Sequence, residues 1–422
     1  MVDTNRQSKQ DYLWNTAAGL INAAEAVIMS MIVTRVTGLA DAGMLTIAFA
    51  IGNLMMPIGK FGIRNYQVTD IENKFSFAIY FKTRMITVLL MLLSTAGYLV
   101  YAYEKLQYSS DKIGIILAIC MIYVVETVED VLWGYYQRRH RLDAGAKMFC
   151  FRWMGILVVF PIALCITGSL SITLGICFIV SVILFIVLVR IFHPQISSAE
   201  DKNLTWRLKK DDFPVIWQLL KIAFPLFGIA FLSFYVNNAP KYAIDAWLTE
   251  EMQACYGFVA MPVFVIGLLN NFVYQPTLVP MAAEWEQREQ SKFRKRITRQ
   301  LVVILIITVI CLAGAYLLGI PVLSWLYNTD LSGFKAELLI LLVAGGFLAM
   351  SGYLSVVLTI MRYQKDLLWP YCLIAVIALI GLNQIVSRYA TMGAAVCYMA
   401  LMMLLCFIYG VILVVRLKGT KE

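Results

Sequence analysis

Residues 34–70 read TRVTGLADAGMLTIAFAIGNLMMPIGKFGIRNYQVTD. A short polar hairpin comes first, with Arg35, Gly38 and Gly43. An apolar run of membrane-spanning length follows and holds a single carboxamide, Asn53. A turn bearing glycine and arginine, Gly59 to Arg64, closes it. The layout returns at 240–280, PKYAIDAWLTEEMQACYGFVAMPVFVIGLLNNFVYQPTLVP. There Lys241 sits in the hairpin, Gly257 opens the long apolar span, and Asn270, Asn271 and Pro276 interrupt its far end. An apolar run of about 20 residues is what a helix needs to cross a bilayer, and basic residues gather beside such helices.

Composition points the same way along the whole chain. Of 422 residues, 61% are hydrophobic and only 14% charged, and the mean hydropathy is +0.76. A soluble domain carries about 45–50% apolar and about 25% charged residues, so lipid is the main solvent here. The net charge of +9 reads as topogenic, with no nucleic-acid partner. The nine cysteines form no CxxC pair and no Cys/His cluster, and most fall inside apolar runs. They read as small core residues. With only His140 and His193 present, imidazole-based metal chemistry is not expected. The polar N-terminus, MVDTNRQSKQDYLW, has no cleavable-signal pattern, which predicts that the first apolar segment inserts as a mature helix.

Twelve segments qualify as spans: 11–33, 40–60, 79–103, 113–136, 148–167, 170–192, 215–237, 251–276, 299–319, 335–360, 367–386 and 391–415. None shows the alternating pattern of a membrane barrel. If the N-terminus is cytoplasmic, 29 of the 35 lysines and arginines fall on the cytoplasmic side, as the positive-inside rule requires. Both termini are then cytoplasmic. The longest connection, at 193–214, is polar and mid-chain and reads as an inter-lobe linker. It separates an N-terminal six-helix lobe (1–192) from a C-terminal one (215–422). Six helices followed by six, both sets starting from the same side, make a parallel repeat about an axis along the membrane normal.

The two hairpins resemble the first and seventh helix connections of bacterial polysaccharide flippases, the O-antigen and capsule type. These belong to the multidrug/oligosaccharidyl-lipid/polysaccharide exporter superfamily. The resemblance implies a non-enzymatic transporter of the bacterial cytoplasmic membrane. It would move undecaprenyl-pyrophosphate-linked oligosaccharide from the cytoplasmic to the outer leaflet by alternating access. Its implied partners are that lipid-linked oligosaccharide, membrane lipids, and the polysaccharide polymerase and glycosyltransferases that work with it. No cofactor is implied beyond a coupling ion, H+ or Na+.

Polar groups inside spans are costly and mark candidate sites. Asn15, Asn22 and Glu25 share one face of the first helix. Glu25 reads as a cavity carboxylate that couples an ion, or as a structural hydrogen-bonding group. Arg35 and Lys241 occupy equivalent hairpins and read as a basic surface for pyrophosphate, or as snorkelling cations. Arg64 and Arg84, at the inner ends of helices two and three, fit the same role or a topogenic one. Glu126, Glu129 and Asp130 crowd helix four, and three acids so close cannot all ionise cheaply. Either Glu126 or Asp130 exchanges ions, or the set pairs with Arg152 of the next helix. The carboxamides Asn53, Asn237, Asn238, Asn270 and Asn271 suit sugar hydroxyls, though such groups also hold helices together. Pro57, Pro161, Pro225, Pro262 and Pro276 are candidate kinks.

No Walker-type phosphate loop is present, so energy would come from an ion gradient or from product removal. An ion-coupled multidrug or cation exporter of the same superfamily is the alternative, and it would rest on Glu25 and the helix-four acids. A membrane glycan polymerase or ligase fits poorly, because the outer loops are too short to hold a catalytic domain.

Overall fold

The computed structural model describes residues 4–70, 72–196 and 207–419. Among these residues the chain is helical, with no strand. The elements are α1 (Thr4–Val36), α2 (Leu39–Lys60), α3 (Ile63–Thr69), α4 (Phe77–Lys105), α5 (Ser110–Arg138), α6 (Leu142–Thr167), α7 (Leu170–Ile196), α8 (Asp212–Trp247), α9 (Glu250–Ala260), α10 (Pro262–Tyr274), α11 (Leu278–Glu286), α12 (Gln290–Gly314), α13 (Ile320–Tyr327), α14 (Lys335–Ile360) and α15 (Leu368–Gly419). Ten helical stretches among the described residues are long and apolar enough to cross a membrane. The acids of α5 keep it out of that set despite its 29 residues, and it supplies an eleventh span. The last stretch, Gln364–Lys418, is 55 residues long and bends at Ala390 (φ 49, ψ −139), so it holds two spans. The chain is thus an all-α, multi-pass membrane protein, with twelve spans among the described residues. Large apolar side chains such as Ile166, Leu317 and Phe407 stay exposed, as lipid-facing groups do.

Contacts divide the chain inside α8, into Met1–Phe231 and Leu232–Glu422. Residues 197–206, within the expected linker, lie outside the described ones.

In the first unit α5 is the central helix and packs on α2, α4, α6 and α7. Glycines set its approach to α2. A Cβ on Gly52 would lie 2.8 Å from the Tyr123 ring, and one on Gly59 would lie 2.7 Å from Thr127. At the end of α2, Phe61 (φ 45) and Gly62 (φ 65) are both left-handed, and the chain turns sharply into α3. Gly62 is held to glycine twice over: by its φ, and because a Cβ there would meet Leu226 at 2.7 Å. Phe61 stacks on Phe227, with ring centroids 4.4 Å apart.

Beyond α3, Asp70 ties down the turn to α4. Its carboxylate accepts from the backbone amides of Lys74 (2.9 Å) and Phe75 (3.2 Å) and from the Tyr80 hydroxyl (2.7 Å). Burial pushes its pKa upward, but these three donors and Arg138 outweigh it and hold the carboxyl below the usual aspartate value. A depressed carboxyl stabilises the fold above its unfolded pKa, and that stabilisation is lost as pH falls through the folded value. Asp70→Ala, which strands the buried Phe75 amide and Tyr80 hydroxyl and the part-buried Lys74 amide, should cost about 1–3 kcal/mol. Thermal unfolding in detergent at neutral pH checks this, and the deficit should shrink below the unfolded aspartate pKa.

The second unit has broken spans. The eighth span, expected over 251–276 with kinks at Pro262 and Pro276, is broken at both places. α9 ends at Ala260, Pro262 opens α10, and a 3-10 turn at Gln275–Thr277 precedes α11. Both prolines lack the N–H that would carry a helix through. The ninth span runs beyond its expected end at 319. A π turn at Ala315–Gly319 leads into α13, where Pro321 cannot donate to the preceding turn. Phe258 stacks on Tyr327 at 3.8 Å, and the Tyr409 hydroxyl donates to the Leu367 carbonyl at 3.1 Å.

Candidate functional site

Glu126, Glu129 and Asp130 follow one another at helical spacing on α5 and are each less than a tenth exposed. Four cations surround them, in two layers. The inner layer is Arg84 of α4 and Arg152 of α6, both with no exposed surface. Arg152 Nε donates to Glu129 Oε2 at 2.9 Å, its Nη2 lies 3.6 Å from Glu126 Oε2, and its Nη1 donates to Ser181 Oγ at 3.3 Å. Arg84 Nη2 donates to Asp130 Oδ2 at 2.7 Å, and its Nη1 donates to the Gly59 carbonyl at 2.6 Å. Glu126 and Glu129 pair with Arg152, as expected for the α5 acids, whereas Asp130 pairs with Arg84.

The outer layer is Lys60, the last residue of α2, and Arg64, in the first turn of α3. The Phe61–Gly62 turn swings both toward α5. Lys60 Nζ donates to Glu126 Oε1 at 2.9 Å. Arg64 Nη1 is a looser 3.5 Å from Asp130 Oδ1, while its Nη2 donates to Gln137 Oε1 at 3.0 Å. The Arg64 guanidinium also lies over the Trp133 ring, 4.3 Å from the centroid. Lys60, Arg64 and the three acids line a cavity of about 240 Å³ together with Asn15, Asn22, Trp133 and Phe149.

Two features set its chemistry. Four cations face three carboxylates, so the network carries a surplus positive charge. The accessible part is also the basic part: the side chains of Lys60 and Arg64 are 30% and 24% exposed, against 7% and 12% for Glu126 and Asp130. An arginine offers paired donors to phosphate oxygens, and a lysine offers a point charge. Among the described residues no group of histidines, cysteines and carboxylates could hold a metal ion.

No family model and no curated protein matches the sequence. Solved structures do match over nearly the whole chain. One is the inward-facing conformation of a multidrug resistance MATE family transporter of the MOP superfamily, with TM-score 0.71, 12% identity, and 96% of this chain and 95% of that chain covered. A second is the lipid II flippase MurJ in an inward closed conformation, with TM-score 0.68, 12% identity, and 94% and 86% covered. A third is the eukaryotic MATE transporter AtDTX14, with TM-score 0.65, 12% identity, and 97% and 96% covered. The chain has the fold of the MOP-superfamily transporters.

Within this MOP fold the other expected residues scatter. Glu25, on α1, is 4% exposed. Its Oε1 accepts from the Tyr123 hydroxyl at 3.2 Å and its Oε2 has no partner. No cation pairs with it among the described residues. Arg35 is exposed near the end of α1, and Asn53 is half-buried in α2. Lys241 is half-buried in α8, and no ion pair to it occurs among the described residues. Asn237 Oδ1 accepts from the Tyr398 hydroxyl at 3.3 Å, which ties α8 to α15. Asn238 and Asn270 donate to carbonyls one turn back, Phe234 at 3.0 Å and Ile266 at 2.9 Å. Such bonds are local and gather no common site. The side chain of Asn271 lies outside the described ones.

Several polar groups escaped sequence reading. Lys60 looked like one more flanking lysine, and its partner Glu126 is 66 residues away, so nothing local marks the pair. Trp133 carries no signal beyond being aromatic. In the second unit the MOP fold encloses Glu337 in the first turn of α14, where it accepts from Thr391 Oγ1 at 3.0 Å. Gln253 of α9 is fully buried, with both side-chain polar atoms unpartnered. A carboxylate two residues from Lys335 reads in sequence as a helix-end group, which hid Glu337.

Proposed function

We propose that this protein is a MOP-type transporter that flips an anionic, diphosphate-linked lipid oligosaccharide across the bacterial cytoplasmic membrane. The observation that carries the proposal is the polarity of the cavity in the first unit: its reachable groups are Lys60 and Arg64, and its acids are spoken for by buried arginines. A cation exporter needs the opposite, an acidic surface open to its cargo. Asn15 and Asn22, both exposed on α1, put carboxamides beside the two cations, where sugar hydroxyls would follow a phosphate. The lipid tail stays in the bilayer, so only the head group needs this polar path. Arg35 near the end of α1 keeps its proposed role as a basic group for the substrate, and so does Lys241, which lies within α8 and not in the expected hairpin. Arg84, which is enclosed, positions Asp130 and Gly59. Glu25 is the proposed ion-coupling carboxylate, because it alone among the four acids forms no ion pair among the described residues.

One observation favours a second reading. The free oxygen of Glu25 would suit a cation-coupled drug exporter of the same fold. Proteoliposomes separate the two. The flippase reading expects transfer of a prenyl-diphosphate sugar to the far leaflet, with no uptake of a cationic dye. Dye transport without lipid transfer would reverse the assignment.

A further inference from the structure

We infer that Glu126 and Asp130 are built-in competitors of the diphosphate, each occupying an outer cation when the cavity is empty and expelling the substrate by reclaiming it. The inference rests on the reading of the cavity as a diphosphate site.

The geometry that supports it is the doubling of counter-ions. Glu126 faces Lys60 at 2.9 Å and the buried Arg152 at 3.6 Å, and it also accepts from Trp153 Nε1 at 3.4 Å. Asp130 faces Arg64 at 3.5 Å and the buried Arg84 at 2.7 Å. When a phosphate draws Lys60 or Arg64 away, neither carboxylate is left as an isolated buried charge, because its inner arginine stays. Losing the last partner of a buried charge is what makes ion-pair breakage expensive; here the exchange avoids it. The outer cations are also the reachable ones, since they retain exposure while Arg84 and Arg152 have none.

The consequence concerns release. Two cations in a low-dielectric cavity would hold a diphosphate tightly, and a transporter that binds its cargo tightly turns over slowly. Carboxylates within reach of the same cations lower that affinity at every step, with no separate energy source. Arg64 marks where the exchange starts: its 3.5 Å contact to Asp130 is the longest of the outer pairs. Gln137 Oε1 holds the other arm of Arg64 at 3.0 Å and competes in the same way without charge.

Glu126→Gln tests this cleanly, because Arg152 keeps Glu129 at 2.9 Å and no buried charge is orphaned. Farnesyl diphosphate binding to purified protein in nanodiscs, with dissociation rates, is the readout. Glu126→Gln should bind about ten-fold more tightly, the factor corresponding to loss of one competing charge-assisted hydrogen bond, and should release more slowly. In proteoliposomes both KM and kcat should fall, and Glu126→Asp should sit near the native protein. Gln137→Ala, which removes no charge, should tighten binding several-fold and serves if Glu126→Gln does not fold. If the native protein binds the probe and both variants bind equally or more weakly at unchanged thermal stability, the competition is wrong and the diphosphate site stands. If the native protein does not bind farnesyl diphosphate at all, the reading of the cavity fails and this inference fails with it.

Discussion

Arg152→Met should leave little folded protein in the membrane. Arg152 is fully enclosed and stands between two carboxylates of α5, donating to Glu129 and lying near Glu126. Its removal gives Glu129, itself only 1% exposed, no cation among its described contacts. Breaking a buried ion pair from one side costs about 3–5 kcal/mol, against a total stability of about 5–15 kcal/mol. The loss falls on the helix that packs against α2, α4, α6 and α7, so it should spread through the first unit. Fluorescence-detected gel filtration of a tagged variant would show a much reduced monodisperse peak. A variant with Arg152→Met and Glu129→Gln together should recover much of it, because the double change removes the charge with its partner. Recovery by the second change separates an orphaned charge from simple loss of packing volume.

Lys60→Gln with Arg64→Gln should do the reverse, keeping the fold and abolishing transport. Glu126 retains Arg152 and Asp130 retains Arg84, so neither acid is orphaned and the protein should reach the membrane in near-normal amount. The cavity loses both accessible cations. Each charge-assisted hydrogen bond contributes about 1.5–3 kcal/mol, so losing both should weaken diphosphate binding by about a hundred-fold or more. Surface polysaccharide in complemented cells, compared with membrane protein level by immunoblot, measures both halves of the expectation. Full activity in a well-expressed double variant would remove the outer cations from the transport path. The contrast with Arg152 is the sharper result: of four arginines and lysines around three acids, the inner pair should govern folding and the outer pair function.

The spans were legible because a bilayer demands long apolar runs, and these stand out even in a single sequence. The α5 acids and the pairing of Glu126 and Glu129 with Arg152 were legible for a related reason: a charge inside lipid needs a partner, and few are available. The layering of the cations was not. Lys60 and Arg64 sit at the mouth of α2 among many topogenic cations, and only the left-handed Phe61–Gly62 turn and the close approach of α2 to α5 at Gly59 bring them to Glu126 and Asp130. Pro262 and Pro276 announced breaks in the eighth span but not their form, one a new helix start and the other a 3-10 turn. The bend at Ala390 falls in the gap expected between the spans at 367–386 and 391–415. The carboxamides misled in a different way. Asn238 and Asn270 satisfy carbonyls on their own helices, a local solution that composition cannot distinguish from a sugar site.

The central claim is that the cargo is a lipid-linked anionic glycan carried from one leaflet to the other. The most direct test is to deplete the protein in cells and ask which leaflet holds the lipid-linked oligosaccharide, using a membrane-impermeant glycosidase or lectin on spheroplasts. The lipid-linked oligosaccharide should accumulate on the cytoplasmic side, out of reach of the reagent, and surface polysaccharide should be lost. Lipid-linked oligosaccharide that remains fully reachable from outside, with polysaccharide intact and sensitivity to cationic drugs increased, would contradict the claim.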